Sequence, residues 1–119
     1  MTHPAPISVI IPAYNAERFI AQTIESVHAQ TLPVAEVIVV DDGSSDRTAE
    51  VARALRARVI SQPNRGLSAA RNAGLKAATQ PWVALLDADD LWARSKIEHQ
   101  WDAVRRCPAA GVVACGYYH

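Results

Sequence analysis

The sequence has few of the features that mark several common classes of protein. Its 12 basic and 12 acidic residues give a formal net charge of zero, which argues against a nucleic-acid-binding surface, since such surfaces usually carry a basic excess. No apolar run approaches the roughly 20 residues of a membrane span. The first six residues lack both the basic and the apolar region of a signal peptide. We therefore expect a cytoplasmic protein without a membrane segment in this chain, and a location at the inner face of the membrane through an anchor elsewhere stays compatible with this.

Cysteine is scarce, with only Cys107 and Cys115 in 119 residues. The two residues form no CxxC pair, and no histidine lies near them at metal-ligand spacing. This argues against a thiolate metal site and favours two reduced thiols.

Two glycine-rich signatures for nucleotides are also missing. Residues 12–15, which follow the first apolar run, contain no GxGxxG, so a dinucleotide pyrophosphate would lack its glycine turn. The chain contains no GxxxxGK[ST] either, which excludes a P-loop. A nucleotide would have to be held in another way, such as by carboxylates and a metal ion.

Five short apolar runs alternate with four helical patterns. The runs predict strands at residues 7–11, 37–40, 58–61, 82–86 and 111–117. Pro12 is expected to end the first strand and Asn15 to cap the first helix. Because the strands are apolar throughout, both of their faces should be covered by helices. The predicted fold is α/β, a three-layer doubly wound and mostly parallel sheet with helices on both faces, and it is expected to be incomplete.

The fourth predicted strand runs directly into the acidic residues Asp87, Asp89 and Asp90. Carboxylates this close repel one another, and water or a cation must neutralise them. Oxygen ligands of this kind suit Mg²⁺ or Mn²⁺. The alternative is a solvated turn whose aspartates cap the next helix.

The position of the unusual stretches favours the metal site. Residues 12–15, 41–44, 64–66 and 87–90 each follow a predicted strand. In a parallel sheet these positions share one edge, where ligands bind. Arg71, in the first turns of the third helix, opposes the helix dipole, which suggests an anionic partner; a surface arginine is the alternative.

Four motifs together resemble the family 2 glycosyltransferases, which have a glycosyltransferase A-type fold. They are VIIPAYN at residues 9–15, VVDDGSSD at 39–46, NRGLSAARNAG at 64–74 and LLDADD at 85–90. The resemblance runs from about residue 7 to the end of the chain. It implies transfer of a sugar from a nucleoside-diphosphate sugar, commonly a UDP-sugar, to an acceptor hydroxyl with inversion, assisted by Mn²⁺ or Mg²⁺.

The resemblance also implies which residues bind the donor: Pro12, Tyr14, Asp41, Asp42, Arg71, Asp87 and Ala88. Pro12 and Tyr14 would line the base pocket, and Asp42 would hydrogen-bond the nucleobase. Asp87 would contact the ribose or the metal, and Asp89 would ligate the metal. Arg71 would lie near the base or the diphosphate. For Asp41 and Asp46 structural roles are favoured.

The sequence departs from the family pattern in one respect. After Asp90 only Glu98 and Asp102 carry carboxylates, and both fall in a predicted helix. The catalytic base and the acceptor site are therefore expected beyond His119. Residues 1–119 would form the N-terminal nucleotide-sugar-binding part of the domain. Its exposed sheet edge could pair with a second copy in a homodimer.

Other functions stay open at this point. A nucleotide-binding module without catalysis would share the same motifs. A nucleotidyltransferase would need a glycine-rich, basic loop after the first strand, and residues 12–15 do not supply one. A phosphoacceptor receiver domain would need a lone aspartate and a late-strand lysine, which are not seen. The sugar and the acceptor, whether glycan, lipid or another hydroxyl, are not determined by the sequence.

Overall fold

A computed structural model describes residues 3–106 of the chain. Strands and helices alternate in the order β1 (Ala5–Ala13), α1 (Ile20–His28), β2 (Val34–Asp41), α2 (Thr48–Ala54), β3 (Arg58–Ser61), α3 (Leu67–Ala77), β4 (Trp82–Leu85) and α4 (Lys96–Arg106). The four predicted helices and the first four predicted strands are thus confirmed. The predicted strand at 111–117 and both cysteines lie outside the described residues.

The four strands form one parallel sheet in the order β3-β2-β1-β4. β1 is central and pairs with β2 from Ala5 to Ala13 and with β4 from Ile7 to Ile10. All carboxyl ends of the strands therefore meet at one edge of the sheet, as predicted.

Helices cover the two faces of the sheet unequally. On one face, Val9, Ile11 and Val39 pack in a large core that also takes residues from α1, α2 and α4: Ile20, Ile24, Val27, Ala52 and Ile97. On the other face, Ile10 and Val40 pack against Ala70 of α3. This confirms the predicted three layers. Alternate residues of β1 and β2 face opposite cores, as the strand period of two requires.

Gly74 allows α3 to lie close to the sheet. A Cβ built on Gly74 would overlap Cγ2 of Ile10 and approach Cγ2 of Val40 to 3.3 Å. The close packing of α3 on the sheet therefore explains why this helix has a glycine at position 74.

Three local predictions are wrong. Pro12 does not end β1, which continues to Ala13. β4 pairs with β1 only as far as Ile10, so at Pro12 only β2 lies beside β1. The missing N–H of Pro12 is therefore tolerated on the side that has no neighbouring strand. Asn15 does not cap α1, which begins at Ile20 after a turn in which Ile20 N–H donates to the Ala16 carbonyl.

The third concerns β4, which was expected to be buried on both faces. Trp82 and Ala84 face the large core, but Val83 and Leu85 are 38% and 51% exposed. β4 is an edge strand among the described residues, so one face of it lies outside the cover of α3.

No helix within residues 3–106 is both long enough and apolar enough to cross a membrane.

Candidate functional site

A cleft of about 210 Å³ lies at the carboxyl edge of the sheet. It is enclosed by the end of β1, the residue after β2 and the start of α3. Its walls are formed by Pro12, Ala13, Tyr14, Asp42, Asn64, Gly66, Leu67 and Ala70. Three of these residues, Pro12, Tyr14 and Asp42, are predicted site residues. The Tyr14 side chain is 55% exposed, so its ring is available to a ligand entering the cleft.

Asp42 organises the wall of the cleft formed by residues 62–66. Its Oδ1 accepts hydrogen bonds from the Gln62 side-chain amide at 2.9 Å and from the Arg65 backbone N–H at 2.8 Å. Its Oδ2 accepts from the Gly66 backbone N–H at 2.9 Å. The carboxylate is only 4% exposed. Asp42 therefore links the end of β2 to the first turn of α3.

These hydrogen bonds keep Asp42 ionised. Burial raises the pKa of the carboxyl, but the bonds from Gln62, Arg65 and Gly66 outweigh burial and hold the pKa below its ordinary value. The site thus carries a fixed negative charge beside the cleft at neutral pH.

Gly43 lets the 62–66 loop approach β2 closely. Its φ is +77°, and a Cβ built on it would lie 2.7 Å from the Asn64 backbone nitrogen. The Asn64 side-chain amide in turn donates to the Asp42 carbonyl at 3.1 Å. Only glycine combines this backbone conformation with this approach.

Asn15 ties the loop after β1 to the loop after β2. Its backbone N–H donates to the Ser44 hydroxyl at 2.8 Å, and its Oδ1 accepts from the Ser45 N–H at 2.8 Å. Asn15 has a φ of 48°, a left-handed conformation that asparagine tolerates. Because Tyr14 precedes it, this contact fixes the backbone that presents the Tyr14 ring to the cleft.

Asp41 and Asp46 make contacts within the loop after β2 and with its neighbour. Asp41 accepts from the Ser44 N–H at 3.1 Å. Asp46 accepts from the Thr48 N–H at 3.0 Å, at the start of α2, and from the Glu17 N–H at 3.1 Å. Neither aspartate is among the residues that line the cleft.

Arg71 and Asp87 face each other beyond the cleft. Arg71 Nη2 lies 3.4 Å from Asp87 Oδ1, and the two side chains are 37% and 51% exposed. Within residues 3–106, Arg71 Nε is the one buried side-chain nitrogen or oxygen without a hydrogen-bond partner. Since Ala70 lines the cleft and Arg71 is the next residue of α3, the cleft and Asp87 belong to one region.

The acidic loop, residues 87–90, follows β4 at the carboxyl edge of the sheet and lies beside β1. Leu86 N–H donates to the Ile10 carbonyl, and Asp90 N–H closes a turn on the Asp87 carbonyl, both at 3.0 Å. Ala88 is buried, whereas Asp87, Asp89 and Asp90 are exposed. The backbone of the loop is therefore anchored while its carboxylates stay accessible.

These residues fit a hard divalent ion that completes its coordination with other ligands. Within the described part of the chain, no three His, Cys, Asp or Glu side chains lie together as a ready set of ligands. Asp87 and Asp89 supply only oxygen donors, and both are exposed. Mg²⁺ is commonly held in this way, by one or two carboxylates together with water and substrate phosphates.

The structure thus brings some predicted residues together and separates others. Pro12, Tyr14 and Asp42 share the cleft, while Arg71 pairs with Asp87 next to it. Ala88 and Asp89 follow on the acidic loop. Sequence reasoning missed Asn64, Gly66 and Leu67 as cleft residues. The position of residues 64–66 after a strand was a signal for them.

The two carboxylates after Asp90 are engaged on α4. Glu98 accepts from the Thr31 hydroxyl at 2.7 Å, and Asp102 pairs with Arg106 at 3.0 Å. Neither lines the cleft.

A sheet with these parallel strands, and an acidic loop at its carboxyl edge, is the arrangement of the glycosyltransferase A-type fold. The sequence matches Glycosyl transferase family 2 over residues 8–119. The chain therefore belongs to glycosyltransferase family 2, which confirms the resemblance of its motifs.

Individual known proteins support the assignment. The chain is 39% identical over 117 residues to the uncharacterized glycosyltransferase EpsJ of Bacillus subtilis (strain 168), covering 94% of this chain and 34% of EpsJ. It is similar to the crystal structure of S. aureus TarS 1-349 in complex with UDP-GlcNAc, with a TM-score of 0.80 and 30% identity, over 84% of this chain and 31% of the TarS 1-349 chain.

A second solved structure with a different ligand is also similar. The mannosyltransferase PcManGT from Pyrobaculum calidifontis, in complex with GDP-Man and Mn²⁺, has a TM-score of 0.74 and 28% identity, over 94% of this chain and 36% of that one. The chain thus spans about a third of the length of EpsJ and of each of the two crystallised chains.

Proposed function

We propose that this chain binds the donor of a glycosyl transfer, a nucleoside-diphosphate sugar, with its base in the cleft and its diphosphate between Arg71 and the acidic loop. One observation carries the proposal: Ala70 of α3 lines the cleft, and the next residue of the helix, Arg71, reaches Asp87 on the acidic loop. A base site and a site for anions and metal therefore adjoin each other. Family membership and the nucleotide-sugar complexes of similar proteins support it.

At the base end, the ligand would meet one aromatic ring, several apolar residues and two polar side chains. Tyr14 offers an exposed ring on which a base can stack. Pro12, Ala13 and Ala70 give the cleft an apolar floor, and Asp42 and Asn64 give it polar groups. Apolar walls with a few fixed polar groups are typical of small-molecule sites.

At the diphosphate end, one cation and two carboxylates would act together. The Arg71 side chain is 37% exposed and reaches Asp87 Oδ1 through Nη2 at 3.4 Å, so its guanidinium could also donate to a phosphate oxygen beside Asp87. Asp87 and Asp89 would hold Mn²⁺ or Mg²⁺. A bound divalent ion supplies Lewis-acid stabilisation of the charge on a leaving diphosphate.

The finer mechanism remains a set of proposals. The acceptor hydroxyl would attack the anomeric carbon from the face opposite the diphosphate, which inverts the configuration. This attack requires a general base within hydrogen-bond reach of the hydroxyl. Glu98 and Asp102 do not line the cleft and contact Thr31 and Arg106 instead, so neither is proposed as this base.

The expected nucleotide is uridine, and guanosine is the main competitor. TarS was solved with UDP-GlcNAc and PcManGT with GDP-Man. The cleft of about 210 Å³ could hold either base, so its volume does not decide between them. Uridine is expected because the resemblance of the motifs implies a UDP-sugar donor.

Calorimetric titration tests the proposal. UDP and GDP are each titrated into the chain with Mn²⁺ and with EDTA, and the same is done with Asp89→Ala. We expect UDP to bind more tightly than GDP, and Mn²⁺ to strengthen binding to the wild type but not to Asp89→Ala. Asp102→Ala, an exposed aspartate on α4, is the matched control and should behave as the wild type. A folded chain that binds neither nucleotide would contradict the proposal.

A nucleotide-binding module without catalysis would give the same titrations. Turnover of a UDP-sugar by the complete protein distinguishes the two functions. The cytoplasmic location and the homodimer expected from the sequence stay predictions.

A further inference from the structure

A stripe of polar side chains on α1 and just after it faces the acidic loop and the segment that follows. The stripe consists of Thr23, Ser26 and Gln30, spaced by three and four residues so that they share one face of the helix. Thr23 and Gln30 are buried. None of the three residues lines the cleft, and the proposed function gives them no role.

Thr23 contacts the acidic loop directly. Its hydroxyl lies 2.8 Å from the Ala88 carbonyl and 2.9 Å from the Asp90 carbonyl. A hydroxyl has one proton to donate, and the two loop carbonyls are the nearer acceptors, since the Phe19 carbonyl of the same helix lies 3.3 Å away. Thr23 is fully buried, and water cannot easily replace this donor.

The other two residues hold the chain after the loop. The Ser26 hydroxyl accepts from the Trp92 N–H at 3.2 Å. The Gln30 amide donates to the Ala93 carbonyl at 2.7 Å, and its oxygen accepts from the Ile97 N–H at 3.0 Å. The segment from Ala88 to Ile97 is thus fixed to one face of α1 at several points.

We propose that Thr23 is a positioning residue for the metal site, because it fixes the backbone between the two predicted ligands. Ala88 separates Asp87 from Asp89, and its carbonyl is one of the two that Thr23 binds. Aspartate has a short side chain, so the direction of its carboxylate follows the backbone closely. This inference rests on the proposed function, since it requires that Asp87 and Asp89 hold the metal.

If Thr23 only stabilised the fold, its replacement would not change Mn²⁺ binding more than replacement of another buried threonine would. Thr48 is a matched residue for this distinction. It is also fully buried, and its hydroxyl accepts from the Ala16 N–H at 2.9 Å while donating to Asp46. Its contacts lie in the loops after β1 and β2, away from the acidic loop.

The test measures the Mn²⁺ concentration that gives half-maximal binding of UDP, or of GDP if that nucleotide binds better. The full chain is compared with Thr23→Val, which keeps the shape and loses the donor, and with Thr23→Ser, which keeps the donor. We expect Thr23→Val to raise the half-maximal Mn²⁺ concentration about 10-fold, in the range found when groups that orient metal ligands are removed. Nucleotide affinity at saturating Mn²⁺ should change far less.

Thr23→Ser and Thr48→Val should both stay near the wild-type value. If Thr23→Val does not fold, Thr23→Cys, which keeps a similar volume and donates weakly, is measured in its place and should shift in the same direction.

The outcomes separate the inference from the proposed function. If Mn²⁺ does not affect binding to the wild type, both are overturned. If Mn²⁺ strengthens wild-type binding and Thr23→Val has the same half-maximal concentration, only the role of Thr23 is overturned. An equal shift in Thr48→Val would also overturn it, since the effect would then be general loosening of the fold.

Discussion

The Asp42 carboxylate accepts the backbone N–H of Gly66 at 2.9 Å, which joins the end of β2 to the start of α3. The same carboxylate accepts from Gln62, from the Arg65 N–H and, at 3.4 Å, from the Asn64 amide. Four donors match the roughly four acceptor sites of a carboxylate. A base N–H would therefore have to displace the longest of these bonds, so the first role of Asp42 is to shape the cleft wall.

Replacing Asp42 with asparagine should disturb both stability and binding. The new amide group would direct a donor toward the N–H groups of the loop, leaving buried donors unsatisfied. We expect a loss of about 2 kcal/mol in the free energy of unfolding and a clear weakening of UDP binding. Urea denaturation and calorimetry measure the two effects. Asp102→Asn makes the same chemical change on the surface and should alter neither. Unchanged binding in Asp42→Asn would show that the wall does not depend on this carboxylate.

Three carboxylates should make the free energy of unfolding fall at acid pH. Burial raises the pKa values of Glu36, Asp42 and Asp46, but hydrogen bonds, from Ser8, Gln62 and Thr48 respectively among others, outweigh it, so each pKa lies below its ordinary value. The ordinary values are 4.5 for Glu36 and 3.8 for the aspartates. Between the folded and unfolded values the unfolded chain binds more protons, so stability rises with pH in that window.

The free energy of unfolding should therefore be steady above about pH 5 and fall as the pH drops below about 4. Urea denaturation from pH 7 to pH 3 measures this. In Asp46→Asn the decline should be shallower, because one of the three carboxylates no longer takes up a proton. A parallel decline in Asp46→Asn and the wild type would contradict the assignment to this residue.

Gly43 and Gly66 allow a paired test of the contact between the two loops. Both have positive φ, at 77° and 97°. A Cβ on Gly43 would meet the Asn64 backbone at 2.7 Å, whereas a Cβ on Gly66 would meet nothing within 4 Å. Each alanine variant should lose roughly 1 to 3 kcal/mol from backbone strain. Gly43→Ala should lose more than Gly66→Ala by thermal or urea denaturation, and it should also bind UDP more weakly. Equal losses would mean that the loop moves aside freely.

The fold was predictable because its sheet follows the apolar runs. β2 and β3 fall where Val37, Ile38, Val59 and Ile60 are, and α3 lies where Gly74 and small residues permit close packing. β4 differs because a run such as that from Val83 to Leu86 does not reveal whether its strand lies inside a sheet or at its edge. That depends on which elements cover it, which is a property of the tertiary structure.

The site was predictable only in part. The position of Asp42 after a strand places it at the carboxyl edge, as expected. Its hydrogen bonds to residues 62–66 could not be read from sequence, because they join residues 20 or more positions apart. Asn15 is a good helix cap by residue type. Here its side-chain oxygen accepts the Ser45 N–H and its backbone N–H donates to the Ser44 hydroxyl, so it joins two loops and does not cap α1.

Arg71 offers the clearest separation between binding and stability. Its ion pair with Asp87 is 3.4 Å long and substantially exposed, and such pairs contribute about 0 to 1 kcal/mol to stability. Arg71→Met keeps most of the apolar stem, so its free energy of unfolding should stay within about 1 kcal/mol of the wild type. The affinity for UDP should fall about 10-fold or more, since a charge-assisted hydrogen bond contributes roughly 1.5 to 3 kcal/mol.

Titration with uridine, which lacks the diphosphate, distinguishes the two positions that the sequence leaves open for Arg71, near the base or near the diphosphate. If the guanidinium contacts the diphosphate, Arg71→Met weakens UDP binding and leaves uridine binding unchanged. If it lies against the base, both ligands lose affinity together. We expect the first result, because Arg71 reaches Asp87 on the acidic loop and is not among the residues that line the cleft. Arg71→Lys should recover only part of the affinity, since lysine keeps the charge without the planar fork. Arg47→Met, which removes an exposed ion pair with Glu50 on α2, is the matched control and should bind both ligands as the wild type does.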